Sequence, residues 1–432
     1  MVDPKKYRTP GKKRPRSHGE GTFFQRADGM WVGRVELEPG LDGRRRRSLP
    51  VYAKDKNACK EKLDKLKKDL AEGIEQAPQQ KRPVKDRIEL WAQTQKAEWA
   101  PNYFKGVRAA INQQIVPSIG GVDVKLLRTE HIQFMIDWVT DQTKTETVVN
   151  DNGAREEREV PKWASRTRQI AYDKVRQWLD WEMHQRPRLV RENVAALVKR
   201  PSAISQVRES HTLEEAREVL ARALDAADPY VSLWAARYLT GMRQGELMGL
   251  RRDRIDWGAL TLDVSWQLQE LPLKPGMKYS DDPGRFDAPD TYEIEPLYLA
   301  RALTRPKGRK VRVNTMPPEF AIMLKTYIEN TPGNEFGLVW VNAEGKPFVD
   351  KEERALWRAA QERAGVRVID GHGTRHTANS LIPVDEVHRM KFLGHSTAAA
   401  NRLYLHEDLE KLREGQNALA GMLLPEKLAP RA

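Results

Sequence analysis

Two arginines, two histidines and one tyrosine in the second half of the chain could together break a phosphodiester without a metal ion. His372, Arg375, His395 and Tyr404 fall within residues 370–408, a segment short enough to fold into one pocket. Arg243 lies far upstream, between glycines at the start of an apolar helical pattern. Guanidinium groups suit a phosphate because they are planar, always charged and bidentate. A tyrosine can attack the phosphorus while histidines move protons, so the set predicts cleavage of a nucleic-acid strand.

Each of these residues also has an ordinary structural explanation. Arg243 could form a simple ion pair with Glu246, three residues further along a helix. A lone histidine is most often a satisfied core residue, and Tyr404 could be a buried core tyrosine. Five of the nine histidines lie between residues 372 and 406, however, and this clustering favours a site.

The histidine cluster also raises the question of zinc. His372 and His376 are four residues apart, but the segment between them lacks the glutamate of an H-E-x-x-H motif. It contains Arg375 instead, whose charge would oppose a bound cation. The sequence therefore predicts neither a metal nor another cofactor.

The order and spacing of these residues resemble those of the tyrosine recombinase (phage integrase) family. The matching boxes are T-G-M-R-Q-G-E-L at residues 240–247, H-G-T-R at 372–375 and L-G-H at 393–395, with Tyr404 nine residues after His395. The resemblance implies that Arg243 and Arg375 bind the scissile phosphate, with Glu246 supporting them. It implies an acid/base role for His372, a phosphate-contacting role for His395, and Tyr404 as a nucleophile that leaves a 3′-phosphotyrosine.

The resemblance also implies a lysine on a β-hairpin that protonates the leaving oxygen. Residues 304–315 read TRPKGRKVRVNT, in which residues 306–308 look like the turn and 310–313 like the second strand. Lys307 is the predicted acid, and Lys310 and Arg305 remain alternatives. An ordinary charged surface turn is the simpler interpretation of the same segment.

Composition favours a polyanionic partner. The chain has 432 residues, enough for two to four domains, and a net charge of +13 from 74 Lys and Arg against 61 Asp and Glu. Such an excess favours nucleic acid through counterion release, although a basic protein without that function would look the same. No apolar run reaches the roughly 18 residues of a membrane span. The single cysteine, Cys59, excludes an intrachain disulfide and suits a reducing cytoplasm, with association to the nucleoid.

The N-terminal region predicts a basic arm followed by a small DNA-binding domain. Residues 1–20 are expected to be a disordered arm, and residues 21–73 a three-stranded sheet (22–25, 30–37 and 44–52) followed by a helix. The third strand begins with four consecutive arginines, Arg44, Arg45, Arg46 and Arg47. Because strand side chains alternate, at least one face must present arginine to solvent or to phosphate; a polar, solvated edge is the alternative. The resemblance implies binding to arm-type DNA sites.

The remainder predicts two further domains. Residues 84–200 carry a helical pattern, interrupted by a polar excursion at 141–160, and match the family's all-helical core-binding domain. Residues 208–432 form the expected catalytic domain, which opens with a capping box at Thr212 and Glu215. The last apolar pattern could pack on its own domain or on a neighbouring protomer.

The predicted fold class is α+β and multidomain, with a small antiparallel sheet in a mainly helical catalytic domain. The predicted function is site-specific DNA recombination that integrates and excises a phage or other mobile element. Expected partners are double-stranded DNA at core and arm-type sites, three further copies in a homotetramer, and an accessory DNA-bending or directionality protein. A type IB topoisomerase and a catalytically silent DNA-binding regulator are the alternatives.

Overall fold

The computed structural model of the chain describes residues 22–35, 48–71, 81–149, 155–186, 188–204, 209–278, 280–306, 312–392 and 405–424. Contacts divide the chain into two compact units. The first comprises Met1–Thr94 and Gly106–Ile204, and the second comprises Gln95–Lys105 and Ser205–Ala432. Among the described residues, no helix is both long and apolar enough to cross a membrane.

The first unit begins with a three-stranded antiparallel sheet of order β1-β2-β3, covered by one helix. Its elements are β1 (Thr22–Gln25), β2 (Trp31–Val35), β3 (Leu49–Ala53) and α1 (Lys56–Ala71). The Asp28-Gly29 turn joins β1 to β2 as its sequence predicts, with Gly29 at a φ of +80° that favours glycine. Val35, Leu63 and Leu66 form the core between sheet and helix. The basic arm and the Arg44–Arg47 run lie outside the described residues.

The described chain between residues 81 and 204 is helical apart from one hairpin, and Gln95–Lys105 within this range belong to the second unit. The elements in this part of the chain are α2 (Val84–Gln95), α3 (Pro101–Ala110), α4 (Val116–Ile119), α5 (Thr129–Asp141), β4 (Thr143–Val149), β5 (Arg155–Pro161) and α6 (Ser165–Glu182). Buried Ile88, Trp91 and Trp178 are among the core residues. The polar excursion at 141–160 coincides with this hairpin, in which β4 and β5 pair antiparallel. Alternate threonines along β4 favour a strand, and this signal marks the hairpin in the sequence.

The second unit surrounds a single large apolar core with helices and two small sheets. Its elements are α7 (Leu213–Asp225), α8 (Val231–Leu239), α9 (Gln244–Met248), β6 (Ile255–Asp256), β7 (Thr261–Val264), β8 (Gln267–Glu270), β9 (Ile294–Tyr298), β10 (Arg301–Thr304), β11 (Arg312–Thr315), α10 (Pro318–Asn330), α11 (Asp350–Arg363), α12 (Gly371–Leu381), α13 (Glu386–Phe392) and α14 (Leu405–Leu423). Trp234, Trp340 and Trp357 are buried in this core. Leu419 and Leu423 of α14 join it, so within one chain the last helix packs on its own unit.

The two sheets have the orders β8-β10-β9 and β11-β7-β6. The predicted Lys307 turn and most of its predicted second strand lie outside the described residues. The strands that flank them do not pair with each other: β10 pairs with β8 and β9, and β11 pairs with β7. Thr304 lies opposite Gln267 and Arg312 lies opposite Val264, so β10 and β11 follow one another along the same antiparallel partner.

Candidate active site

Arg243 stands at the start of α9, where a buried carboxylate holds it. The Glu246 carboxylate accepts a hydrogen bond from the Arg243 backbone N–H at 2.8 Å and another from Arg243 Nη1 at 2.9 Å. Only 1% of the Glu246 side chain is exposed, whereas 32% of the Arg243 side chain is exposed. The simple ion pair considered from the sequence is therefore present. Its anion is buried and its cation faces outward, an arrangement that orients the guanidinium toward a ligand.

The N-terminal turn of α12 is firmly positioned, and α12 carries His372 and Arg375. Asp370 caps the helix, because its Oδ1 accepts from the His372 N–H at 3.0 Å and from the Gly373 N–H at 2.6 Å. Arg375 is buried, and its Nη1 donates to the carbonyl oxygen of Gly241 at 2.6 Å. This bond joins α12 to the turn that presents Arg243, so the two predicted phosphate ligands share one site.

A third arginine, which the sequence analysis did not select, completes this cluster. Arg312 Nη2 donates to Glu246 Oε2 at 2.6 Å, so one carboxylate serves two guanidinium groups. Burial, together with the positive charges of Arg243 and Arg312, lowers the pKa of Arg375 to about 9. Burial likewise lowers the pKa of Arg312. Cations that depress each other's pKa form a site that an anion would stabilise.

Arg243 and His372 line a cleft of about 500 Å³. Gln244, Gln269, Arg354 and Asp370 also contribute to its walls. Within the described parts of the chain, no group of three or more His, Cys, Asp or Glu side chains is placed to hold a metal ion. The cleft offers Arg243, Arg354 and His372 to a ligand, and the carboxylates of Glu270, Asp350 and Asp370 also line it.

Phe392 packs against the turn that presents Arg243. A Cβ atom added to Gly241 would lie 2.6 Å from Phe392 Cε1, so the ring rests directly on this glycine. Phe392 stands three residues before His395 in the chain. His395, Tyr404, Lys307 and the alternative acid Lys310 all lie outside the described residues.

Arg305, the remaining alternative acid, is held in other contacts. Its guanidinium stacks 4.1 Å from the Trp266 ring centroid and donates to both carboxylate oxygens of Glu293 at 2.9 and 2.7 Å. The hydrogen bond to Glu293 raises the pKa of Arg305, which makes it a poorer proton donor. His388, another residue of the histidine cluster, is buried, and its Nδ1 lies 2.6 Å from Asp385 Oδ2.

Two family models match the chain, and together they span well over half of it. Residues 212–411 match the phage integrase family, and residues 84–138 match the phage integrase N-terminal SAM-like domain. The chain belongs to the phage integrase family. It is accordingly a site-specific tyrosine recombinase, and its fold class is the predicted mixed α+β arrangement.

Relatives agree with this assignment. An integrase of Saccharopolyspora erythraea is 25% identical over 451 residues, covering 91% of this chain and 94% of that protein. The tyrosine recombinase XerH of Campylobacter jejuni is 30% identical over 129 residues, covering 29% of this chain and 36% of that protein. The solved structure of the Tn1549 transposon integrase in complex with transposon right-end DNA shares the fold. Its TM-score is 0.52 at 13% identity, over 78% of this chain and 100% of that one.

Proposed function

We propose that Tyr404 attacks a scissile phosphate in double-stranded DNA, forming a 3′-phosphotyrosine bond and releasing a 5′-hydroxyl. The 5′-hydroxyl of a second duplex then attacks the phosphotyrosine, restores a phosphodiester and frees the tyrosine. The observation that carries the proposal is the cluster of Arg243, Arg375 and Arg312 around one buried carboxylate beside the cleft. Because the covalent link conserves the bond energy, neither ATP nor a metal takes part.

We also propose which side chains transfer protons to and from the reacting oxygens. A phenol has an ordinary pKa of about 10, so a base and nearby cations must assist its attack. His372, on the wall of the cleft, is the proposed acid/base, and His395 is a proposed hydrogen-bond donor to the phosphate. Lys307 is the proposed acid for the leaving oxygen. The pairing of Arg312 with Glu246 supports this choice, because it anchors one end of the 305–311 segment at the arginine cluster.

We assign the N-terminal domain, residues 21–73, to an accessory arm-type DNA site. Strand pairing places Phe24, Arg34 and Tyr52 on the sheet face opposite α1, where all three are exposed. The Arg34 guanidinium lies 5.5 Å from the Phe24 ring centroid. An exposed sheet face with arginine and aromatic side chains suits contact with phosphates and bases. Residues 84–200 would bind the core site next to the catalytic domain at 208–432.

Exchange between two duplexes requires four cleavages, and we infer a homotetramer on DNA that integrates and excises a mobile element at the nucleoid. An accessory bending or directionality protein would set the direction. A type IB topoisomerase would use the same chemistry as a monomer on one duplex. The exposed arginine and aromatic face of the N-terminal sheet favours recombination, since relaxation of one duplex does not need a second DNA site. The products distinguish the two activities: joined sites or relaxed circles alone.

The test replaces Tyr404 by Phe, which removes only the hydroxyl. On a nicked suicide substrate in EDTA, the wild type should become covalently attached to DNA, and mass spectrometry should find the Tyr404 peptide on the strand. Tyr404→Phe should bind the same DNA without attachment. Tyr298→Phe, a matched change elsewhere in the second unit, should behave as wild type. A Tyr404→Phe protein that still attaches, or a wild type silenced by EDTA, would overturn the mechanism.

A further inference from the structure

Glu246 is the anion shared by the arginine cluster. Its Oε2 accepts from Arg312 Nη2 at 2.6 Å and from the Arg243 backbone at 2.8 Å, while its Oε1 accepts from Arg243 Nη1 at 2.9 Å. The Arg312 side chain is 14% exposed, less than half of the 32% for Arg243. Arg312 thus has the geometry of a residue that acts on Arg243 through the carboxylate between them.

The charges of the cluster match the reaction better with Arg312 than without it. Three guanidinium groups and one carboxylate leave two net positive charges. A phosphodiester carries one negative charge, and its five-coordinate transition state carries about two on its equatorial oxygens. Without Arg312 the cluster would keep one net positive charge, enough for the ground state alone. Interactions that strengthen toward the transition state are the ones that accelerate a reaction.

We propose that Arg312 is a positioning residue for strand cleavage, which acts through Glu246 to aim Arg243 and supplies the positive charge that the transition state requires. The inference rests on the proposed function of the same site. It concerns the phosphate and not the leaving oxygen, although Arg312 also borders the segment that contains Lys307.

The placement of β11 does not depend on this ion pair. Residues 312–315 pair in register with β7, and Asn314 Nδ2 donates to the carbonyl oxygen of Thr240 at 2.9 Å. Removing the Arg312 guanidinium should therefore leave the strand in place. The effect on cleavage can then be separated from an effect on folding.

The experiment measures covalent attachment rates of full-length Arg312→Met, Glu246→Gln and the double variant. Arg254→Met is the matched control, because Arg254 pairs with Asp263 at 3.0 Å on the surface of the same unit. Arg312→Met should slow cleavage about 10- to 100-fold, less than the loss of a direct donor. The double variant should be no slower than the slower single variant, because both changes break one chain of contacts. Arg254→Met should match the wild type.

Two altered substrates identify the target of Arg312. A methylphosphonate at the scissile position removes one negative charge, so the Arg312→Met defect should shrink several-fold on it. Sulfur at the 5′ bridging position removes the need for a leaving-group acid and should leave the defect unchanged. If Arg312→Met does not fold, Arg312→Gln should give the same pattern.

Three results would overturn the inference. The first is a double variant whose loss of rate equals the product of the losses in the two single variants. The second is an Arg312→Met defect that the bridging sulfur repairs. The third is covalent attachment by Arg312→Met as fast as by Arg254→Met. Failure of the proposed function is a separate observation, because the wild type itself would then not attach through Tyr404.

Discussion

Gly241→Ala should damage both the stability of the second unit and its chemistry. Gly241 has a φ of +56°, and a left-handed conformation costs a residue with a Cβ about 1–2 kcal/mol. The new Cβ would also lie 2.6 Å from Cε1 and 2.9 Å from Cζ of Phe392. Overpacking of this kind costs about 1–3 kcal/mol. The free energy of unfolding should therefore fall by about 2–5 kcal/mol, or roughly 4–20 °C in Tm for a domain of this size.

The assay is urea unfolding of Gly241→Ala, Phe392→Leu and the double variant, with cleavage of the suicide substrate measured in parallel. Because the smaller side chain relieves the clash, the double variant should be about 1–3 kcal/mol more stable than the two single changes predict when added. Cleavage should fall in Gly241→Ala, since the Gly241 carbonyl holds Arg375. Gly421→Ala is the control. It lies exposed in α14 with no atom within 4 Å of an added Cβ, and it should stabilise the helix by about 0.5–1 kcal/mol. A Gly241→Ala loss under about 1 kcal/mol, or strict additivity with Phe392→Leu, would refute the reasoning.

Three further perturbations test other parts of the molecule. Arg237→Met leaves the fully buried Glu353 carboxylate without its Arg237 partner and should lower the free energy of unfolding in urea by about 3–5 kcal/mol. Adding Glu353→Leu should recover most of this loss, and equal instability of the single and double variants would contradict the prediction. Lys307→Ala should slow cleavage of normal DNA, and a 5′ bridging sulfur should restore it; rescue of a Lys310 variant instead would move the acid to Lys310. In gel-shift assays, Arg34→Ala should weaken binding to an arm-type fragment but not to the crossover site. The dependence of the logarithm of the binding constant on the logarithm of the salt concentration should become shallower by about one, and an unchanged slope would exclude a phosphate contact.

Elements fixed by neighbouring residues were predictable from the sequence. The capping box of α7 is confirmed: Glu215 N–H donates to Thr212 Oγ1 at 3.2 Å, and Thr212 N–H donates to the Glu215 carboxylate at 2.8 Å. The β1–β2 turn follows from Asp28-Gly29 in the same way. Both depend on contacts between residues three or four apart, which a sequence pattern displays directly.

Features fixed by distant residues were not predictable in this way. A lysine-containing turn between two short strands suggested a hairpin. However, β10 pairs with β8, 31–37 residues earlier in the chain, and β11 pairs with β7, 48–54 residues earlier. Arg312 was missed because the residue that defines it, Glu246, is 66 residues away. The roles of His395 and Tyr404 stay predictions that rest on the sequence boxes.

Because β10 and β11 each pair with a strand of their own, the length of the segment between them, residues 305–311, does not determine the geometry of either sheet. Between their pairings, two residues, Ser265 and Trp266, stand on one side and seven, 305–311, on the other. Residues can be added to or removed from the longer side while each β pairing keeps its register. Doubling such a segment costs only about 0.6 kcal/mol of closure entropy. The reach of a lysine carried there can thus change with the length of the segment while Arg312 keeps its place in β11.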